Sequence, residues 1–383
     1  MNLSPKIDFV ITARPSWARV KKLISEFVNL EGSDAVRVSL LGAAISERYG
    51  DIRNQIPKEI ELNTFDSFSG NDNLFMVAKS CIDGARSLSQ SWSSNPPQAA
   101  FIIADRTETL GVAVAAATMQ IPLVHLQGGE ESGSIDNKIR GANSKLADLH
   151  LTTNQTTAKN LENLGEKPEN IVIIGCPSID LVFERLEVLI KPKLNSVLYG
   201  GVGAKFLTEK AYGIIMFHPD TLEILQSELW IDYILEMTQK NNLNWFWFWP
   251  NIDFGGSILS KKIRSKRESN LLGNIRFIKN LSPSDFIDLS INAKIIVGNS
   301  SFGIREASAI GLPALNLGSR QNGRQRAGNV LDIYAPSELG TIAGKLSAER
   351  FEKSTIYGNG NASQLGAITL SKWDPKLKDA KMK

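Results

Sequence analysis

Short apolar runs with strand character alternate along the chain with stretches of helical periodicity. Residues 20–28 show the helical spacing, with apolar side chains three or four positions apart. Continuous apolar strands separated by helices predict a parallel sheet that is covered on both faces. In the first half, the predicted strands are 7–11, 36–41, 99–104, 122–127, 149–153 and 171–175.

The same alternation restarts in the second half. Helical segments are expected around 222–240, 284–292 and 302–310. The Pro- and Gly-containing segment 191–204 best marks the seam between the halves. The fold class is therefore α/β, with two Rossmann-like doubly wound domains facing a cleft, an architecture called GT-B-like. The predicted strands of the second half are 212–217, 244–249, 275–278, 294–297 and 314–317.

Length and composition fit two globular domains. The chain has 383 residues, 42% of them hydrophobic and 22% charged, which excludes a disordered protein. A net charge of +3 with no basic stripe argues against nucleic acid as a partner. The two cysteines are far apart in sequence, which indicates a reducing compartment. No secretory signal is visible, and apolar stretches end at about ten residues, short of a membrane helix. We expect a cytoplasmic protein without membrane contact.

Polar residues follow the predicted strands, where open α/β sheets bind their ligands. The strongest local motif is the segment 298–306, GNSSFGIRE, between a strand and a helix. Small residues and helix-start amides there suit a diphosphate, and Glu306, about one turn inside the helix, can accept from ribose hydroxyls. A plain helix cap by Ser300 or Ser301 is the alternative. The residues that follow strands are Arg14, Asp105, Glu130, His218, Asn251, Asp253 and Ser300.

Two loops of the first half concentrate ionisable groups. One begins at Asp105, and the other carries Glu130 directly after a glycine pair that permits a tight turn. Asp136 and Arg140 are four residues apart and share one helical face, either in a site or as a surface ion pair.

Only three histidines are present. His218, at a strand end, can donate to a phosphate or stabilise a leaving group, or it is a structural residue. His125 and His150 lie within strands and are interpreted as core residues. The aromatic run 245–249 is interpreted as a buried strand. No spacing typical of a metal site occurs, and we expect neither a metal nor a cofactor.

Ordered segments over nearly the whole chain resemble the UDP-N-acetylglucosamine 2-epimerase family, and in particular its hydrolysing branch. No single motif could produce this likeness. The matching segments are 12–15, Asp105, 125–130, 134–136 with Arg140, 165 with 175–180, 218–219, 250–256, 299–306, 318–324 and 357–363.

The resemblance implies a reaction and a set of roles. UDP leaves C1 as the C2 proton is removed, and water then adds to the glycal intermediate to release N-acetylmannosamine for sialic-acid-type biosynthesis. Asp105, Glu130 and Asp136 match the catalytic carboxylates, and His218 joins them. The expected substrate-binding residues are Arg14, Arg19, Asn251, Asp253, Ser300, Ser301, Gly303, Glu306, Arg320 and Arg324.

The resemblance also implies a domain plan. Residues 1–190 form the domain with the catalytic carboxylates and residues 191–365 the UDP-binding domain. Residues 366–383 are expected to pack back on the first domain. A homodimer or higher homo-oligomer is expected as well.

Three departures from the family pattern bear on the substrate. Arg19 stands where lysine is usual, Ser319 where many members carry aspartate, and Asn-Lys rather than Glu-Ser follows Asp136. A 4-amino-modified relative of UDP-N-acetylglucosamine therefore stays open as the substrate. A non-hydrolysing epimerase, a GT-B glycosyltransferase and a non-catalytic nucleotide-sensing relative are the alternatives.

Overall fold

A computed structural model describes residues 6–188, 192–268, 273–340 and 350–375. The chain forms two compact units. The first unit consists of Met1–Glu130, Ile135–Asp180 and Gly358–Lys383, and the second of Glu131–Ser134 and Leu181–Tyr357.

The first unit is a parallel seven-stranded sheet with the strand order β3-β2-β1-β4-β5-β6-β7. Apolar clusters cover both of its faces. In chain order its elements are β1 Ile7–Ile11, α1 Arg14–Glu31, β2 Val36–Leu40, β3 Glu61–Thr64, α2 Leu74–Ser94, β4 Ala99–Ile103, α3 Thr107–Thr118, β5 Leu123–Leu126, α4 Asp136–Leu146, β6 Leu149–Thr152, α5 Gln155–Asn163, β7 Ile171–Ile173 and the start of α6 Pro177–Glu187.

The second unit repeats this plan with the strand order β14-β13-β12-β9-β10-β11-β8. Every pairing is parallel except that of β8 with β11. Its elements after α6 are β8 Val202–Gly203, β9 Tyr212–Met216, α7 Ile224–Lys240, β10 Asn244–Phe248, α8 Gly256–Glu268, β11 Ile275–Ile278, α9 Pro283–Asn292, β12 Ile296–Gly298, α10 Glu306–Ile310, β13 Ala314–Leu317 and β14 Val330–Ile333.

The predicted fold class of two Rossmann-like units is confirmed, and each of the eleven predicted strands overlaps an observed one. The aromatic run lies in β10, where Trp245 and Trp247 are fully buried, as predicted. The pattern missed β3, β8 and β14. All three are edge strands with mostly polar or exposed positions, and such strands lack the continuous apolar run of a central strand.

The observed division of the chain differs from the predicted boundaries at 190 and 365. It falls after Asp180 and before Gly358 because these two segments meet. The Asp180 carboxylate accepts the amides of Ala362 and Ser363 at 3.0 and 2.7 Å, and it thereby caps α11 (Ala362–Lys372).

The helix α11 packs on α1 within the first unit. A Cβ at Gly366 would lie 2.6 Å from Leu23 Cδ1, so a larger residue there would require the Leu23 side chain to shift. Residues 376–383 of the predicted terminal segment lie outside the described residues.

Two further observations bear on the sequence predictions. Cys81 and Cys176 are free thiols. Over the described ranges, every helix is too short or too polar to cross a bilayer.

Candidate functional site

Each sheet has one point at which the strand order reverses, and open α/β sheets bind ligands beside such points. In the first unit this point lies between β1 and β4, and in the second unit between β9 and β12. Arg14 and Asp105 follow β1 and β4, and His218 and Ser300 follow β9 and β12. The topology therefore places these four predicted residues at the two positions where ligands are expected.

In the first unit, Arg140 gathers the three predicted catalytic carboxylates. This side chain, on α4, is 2% exposed and donates to the Asp105 carboxylate. It also donates to the backbone carbonyl of Glu130 at 2.7 Å. Burial disfavours the charged guanidinium, but the negative charges of Asp105, Glu130 and Asp136 outweigh it and raise the pKa of Arg140. The surface ion pair considered for Asp136 and Arg140 is therefore wrong.

The glycine pair before Glu130 has a steric function. Gly129 has φ of +77°, and a Cβ there would lie 2.1 Å from the Thr157 carbonyl oxygen. A Cβ at Gly128 would lie 2.8 Å from Ser144 Oγ. The chain therefore needs glycine to make the predicted tight turn at this place. The turn leads to Glu130, which is largely buried in the loop after β5.

The two predicted arginines of the first unit lie on α1. Arg14 is the first residue of this helix, and burial lowers the pKa of its guanidinium. Arg19 donates to Gln127 Oε1 at 2.8 Å, and the Gln127 amide in turn contacts Cys176 Sγ at 2.9 Å. Gln127 itself adopts φ of +66° directly after β5.

The second unit centres on His218, which is 8% exposed. Its Nδ1 accepts the backbone amide of Asn251 at 3.2 Å. Nδ1 therefore carries no proton, and the neutral ring presents Nε2–H as a donor. Burial, with a smaller contribution from Arg320, lowers the pKa of His218 to about 3, so the ring stays neutral at physiological pH.

The side chains around His218 form one hydrogen-bond network. Asn251 Nδ2 and Arg320 Nη2 both donate to Asp253 Oδ2, at 2.5 and 3.2 Å. Asn299 clamps the backbone of His218 from both sides, since it accepts the amide at 2.7 Å and donates to the carbonyl at 2.9 Å. Arg320 also donates to the Asn299 carbonyl at 3.1 Å. Four predicted residues of this unit are thereby brought together.

The segment after β12 differs from its prediction in one respect. We expected one helix over 302–310, but Ser301–Gly303 form a 3₁₀ turn, and α10 begins only at Glu306. Ser300 accepts the amide of Phe302 at 3.3 Å and caps this turn. Glu306 is thus the first residue of α10 rather than a residue one turn inside it. Its Oε2 is buried and lacks a hydrogen-bond partner within the described part of the chain.

The loop with Arg320 and Arg324 is held by residues of its own unit. Gly133 donates its amide to the Arg320 carbonyl at 3.1 Å. Arg326 donates to the Gln321 carbonyl at 2.9 Å and to Asp332 Oδ1 at 3.0 Å. Asn299 and Arg326 are absent from the predicted site because their role is visible only through contacts distant in sequence. Arg140 stood within a matching segment, but its burial gave no sequence signal.

His125 and His150 are fully buried in adjacent strands, which confirms their interpretation as core residues. Among the described side chains, no group of three or more histidine, cysteine or acidic residues is arranged to hold a metal ion.

The family profile described as UDP-N-acetylglucosamine 2-epimerase matches residues 30–369. A Legionella pneumophila protein named UDP-N,N'-diacetylbacillosamine 2-epimerase (hydrolyzing) is 28% identical over 370 residues, which cover 94% of this chain and 93% of that protein. A Neisseria meningitidis UDP-N-acetylglucosamine 2-epimerase is 31% identical over 274 residues, covering 69% and 68%.

The fold has close structural counterparts. The crystal structure of a Methanocaldococcus jannaschii UDP-GlcNAc 2-epimerase in complex with UDP-GlcNAc and UDP superposes with a TM-score of 0.76 at 15% identity, and the match covers 96% of this chain and 99% of that one. At this identity the likeness establishes the fold.

Proposed function

Because the chain belongs to the UDP-N-acetylglucosamine 2-epimerase family, we propose that it is a hydrolysing 2-epimerase. It converts UDP-N-acetylglucosamine, or a relative modified at C4, into N-acetylmannosamine or its matching relative, plus UDP. The observation that carries this proposal is the cluster of Asp105, Glu130 and Asp136 around the buried Arg140.

The proposed reaction needs this cluster for two proton transfers. A base removes the C2 proton as the C1–O bond breaks, and the electron pair of the C2–H bond forms the C1–C2 double bond of the glycal. Water then adds its oxygen to C1 and gives up one proton to a base, while an acid delivers a proton to C2 from the opposite face. Two faces require at least two acid–base groups, and Arg140 helps to fix them because it binds the Asp105 carboxylate and the Glu130 backbone carbonyl.

The second unit supplies groups that suit the departing diphosphate. His218 offers a neutral Nε2–H donor, and Arg320 offers a cation beside it. Fixed donors of this kind stabilise negative charge that develops on a leaving group, because they need no reorganisation during the reaction. Glu306, whose buried Oε2 has no hydrogen-bond partner among the described residues, is suited to accept from ribose hydroxyls.

The names of the relatives support the hydrolysing branch and widen the substrate. The Legionella protein that covers nearly the whole chain is named as hydrolysing and as acting on a diacetylated bacillosamine nucleotide. A substrate with an acetamido group at C4 is therefore included in the proposal. The free sugar released would be a precursor for sialic-acid-type sugars.

The experiment incubates the purified protein with UDP-N-acetylglucosamine, and separately with UDP-N,N'-diacetylbacillosamine, in deuterated water. Products are followed by NMR. Free sugar of inverted C2 configuration, with deuterium at C2 and one equivalent of UDP, is the expected result. A UDP-linked epimer would assign the non-hydrolysing reaction instead, transfer to an added acceptor would assign a glycosyltransferase, and no turnover of either nucleotide would reject the proposal.

A further inference from the structure

The residue directly before Asp105 has an unusual backbone conformation. Ala104 ends β4 with φ of +57°, in the left-handed region. This conformation is unfavourable for a residue with a Cβ and persists where the surroundings enforce it. Its carbonyl oxygen receives two side-chain donors, His125 Nε2 at 2.8 Å and Asn143 Nδ2 at 3.3 Å. Both donors are fully buried.

The hydrogen bonds of His125 define its proton position. A carbonyl oxygen can only accept, so Nε2 carries the ring proton. Nδ1 lies 3.1 Å from Ser144 Oγ and must then accept from this hydroxyl. His125 and Ser144 are both 0% exposed, so water does not compete for either bond. The ring is held in one tautomer, with its donor directed at Ala104.

One face of α4 organises the whole arrangement. Asp136, Arg140, Asn143 and Ser144 recur at spacings that share a helical face. Arg140 binds the Asp105 carboxylate, while Asn143 binds the carbonyl of the preceding residue. Ser144 orients His125 toward that same carbonyl. Asp105 is therefore held through its side chain and through its backbone by the same helix.

We propose that His125 is a positioning residue for the reaction. Its Nε2–H bond keeps Ala104 in the left-handed conformation and so sets where the Asp105 carboxylate stands relative to Arg140. The inference rests on the proposed function, since Asp105 must take part in proton transfer for its position to matter. Displacing a catalytic group by about 1 Å costs on the order of 100-fold in rate, whereas binding of the nucleotide need not change.

Two substitutions at one position separate positioning from packing. In His125→Gln the side-chain amide can place a donor near the former Nε2 and reach the Ala104 carbonyl. In His125→Asn the amide reaches only the former Nδ1 position. We expect His125→Asn to lower kcat by about 10- to 100-fold. Its KM and its Kd for UDP should stay within about twofold, and His125→Gln should recover most of the lost kcat.

The matched control is His150→Asn. His150 pairs in register with His125 on the neighbouring strand and is equally buried, but it bonds Glu166 at 3.1 Å instead of Ala104. This variant should keep kcat within about twofold of wild type, even where its melting temperature falls as far as that of His125→Asn. Equal kcat losses in the two variants, or no recovery by glutamine, would overturn the inference.

A milder variant and a direct measurement cover the case in which His125→Asn does not fold. Ser144→Ala removes the donor to Nδ1, so the ring is held at Nε2 alone and is less firmly oriented toward Ala104. We expect kcat to fall several-fold with unchanged UDP affinity, and an unchanged kcat contradicts the proposal. The ¹⁵N shifts of the His125 ring should show a protonated Nε2 and a bare Nδ1, and the reverse would also contradict it. Wild-type protein without epimerase turnover would reject the proposed function, whereas turnover with an unaffected His125→Asn would reject only this inference.

Discussion

The two units share the order of six parallel strands and differ in the charged groups that they place where this order reverses. The first unit collects three carboxylates around one buried arginine beside β4 and β5. The second unit collects a neutral histidine, amides and the ion pair of Arg320 with Asp253 beside β9 and β12. The backbone plan alone therefore determines where polar residues gather. Which chemistry they perform is decided by the side chains at those positions.

The arginines of the two units also differ in solvent exposure. The arginines differ, since Arg140 is 2% exposed and Arg320 is 13% exposed, whereas their partners Asp105 and Asp253 are similar at 19% and 22%. We infer that the first unit keeps its acids fixed for proton transfer, while the second keeps donors accessible to a ligand.

Removing an acid of the first unit should abolish turnover and spare nucleotide binding. Asp105→Asn and Glu130→Gln each lose a titratable group but keep the shape of the side chain. We expect kcat to fall by at least about 1,000-fold, within the range attributed to acid–base groups. UDP affinity, measured by calorimetry, should change by less than about threefold. A wild-type rate in either variant would remove that residue from the catalytic set.

The two arginines should respond differently to the same change. Arg140→Met leaves buried negative charges uncompensated and should destabilise the protein by about 3–5 kcal/mol in urea unfolding. Arg320→Met breaks a more exposed pair and should cost about 1 kcal/mol or less. The second variant should instead weaken UDP binding. Equal stability losses would contradict the contrast between the two units.

His218 should act through its Nε2–H. His218→Asn keeps an acceptor near Nδ1 for the Asn251 amide but removes the Nε2 donor, and kcat should fall by about 100-fold. His218→Gln places an amide nearer to Nε2 and should lose less. Because the pKa of His218 is about 3, neither variant should remove a titration from the kcat profile between pH 5 and 8. If kcat of the wild type changes with an apparent pKa near 6.5, and this change is absent in the variants, the ring titrates during catalysis and the prediction is wrong.

Each unit contains one histidine whose burial should make stability depend on pH. The pKa values of His125 and His218 are both lowered to about 3. Below about pH 6.5 the unfolded chain binds protons that the folded protein does not, so stability falls as the pH decreases toward 3. The expected slope is about 1.4 kcal/mol per pH unit for each histidine. The free energy of unfolding, measured with urea at pH 7.5, 6 and 5, gives this slope. His125→Gln and His218→Gln should each make the slope smaller.

Substitution of two glycines near the predicted sites by alanine should differ in its effect on stability, and the smaller effect is expected at Gly303. A Cβ at Gly303 would lie 3.6 Å from Ala314 Cβ, an ordinary contact, so Gly303→Ala should change stability by about 0.5 kcal/mol or less. If this variant binds UDP more weakly although its stability is unchanged, the added methyl group interferes with the ligand and not with folding. Gly129→Ala is the contrasting variant, because its Cβ would clash with the Thr157 carbonyl and destabilise the first unit. Comparable destabilisation by both would refute this distinction.

The central strands and the polar residues after them could be predicted from the sequence. A strand buried on both faces needs a continuous apolar run, and such a run is a local signal. The edge strands β3, β8 and β14 gave no such run. The 3₁₀ turn at Ser301–Gly303 was also not predicted. Where this turn ends and α10 begins depends on the path of the backbone between them and not on residue type alone.

The order of residues was enough to predict the two-unit α/β plan, the place of Asp105, Glu130 and His218 after their strands, and the likeness to a family. Three contacts become visible only in the folded chain: the burial of Arg140 among carboxylates, the capping of α11 by Asp180, and the hydrogen bonds of His125 and Asn143 to the carbonyl of Ala104. The reason is physical. Apolar periodicity records contacts made by neighbours along the chain, whereas a buried polar contact depends on segments that folding brings together.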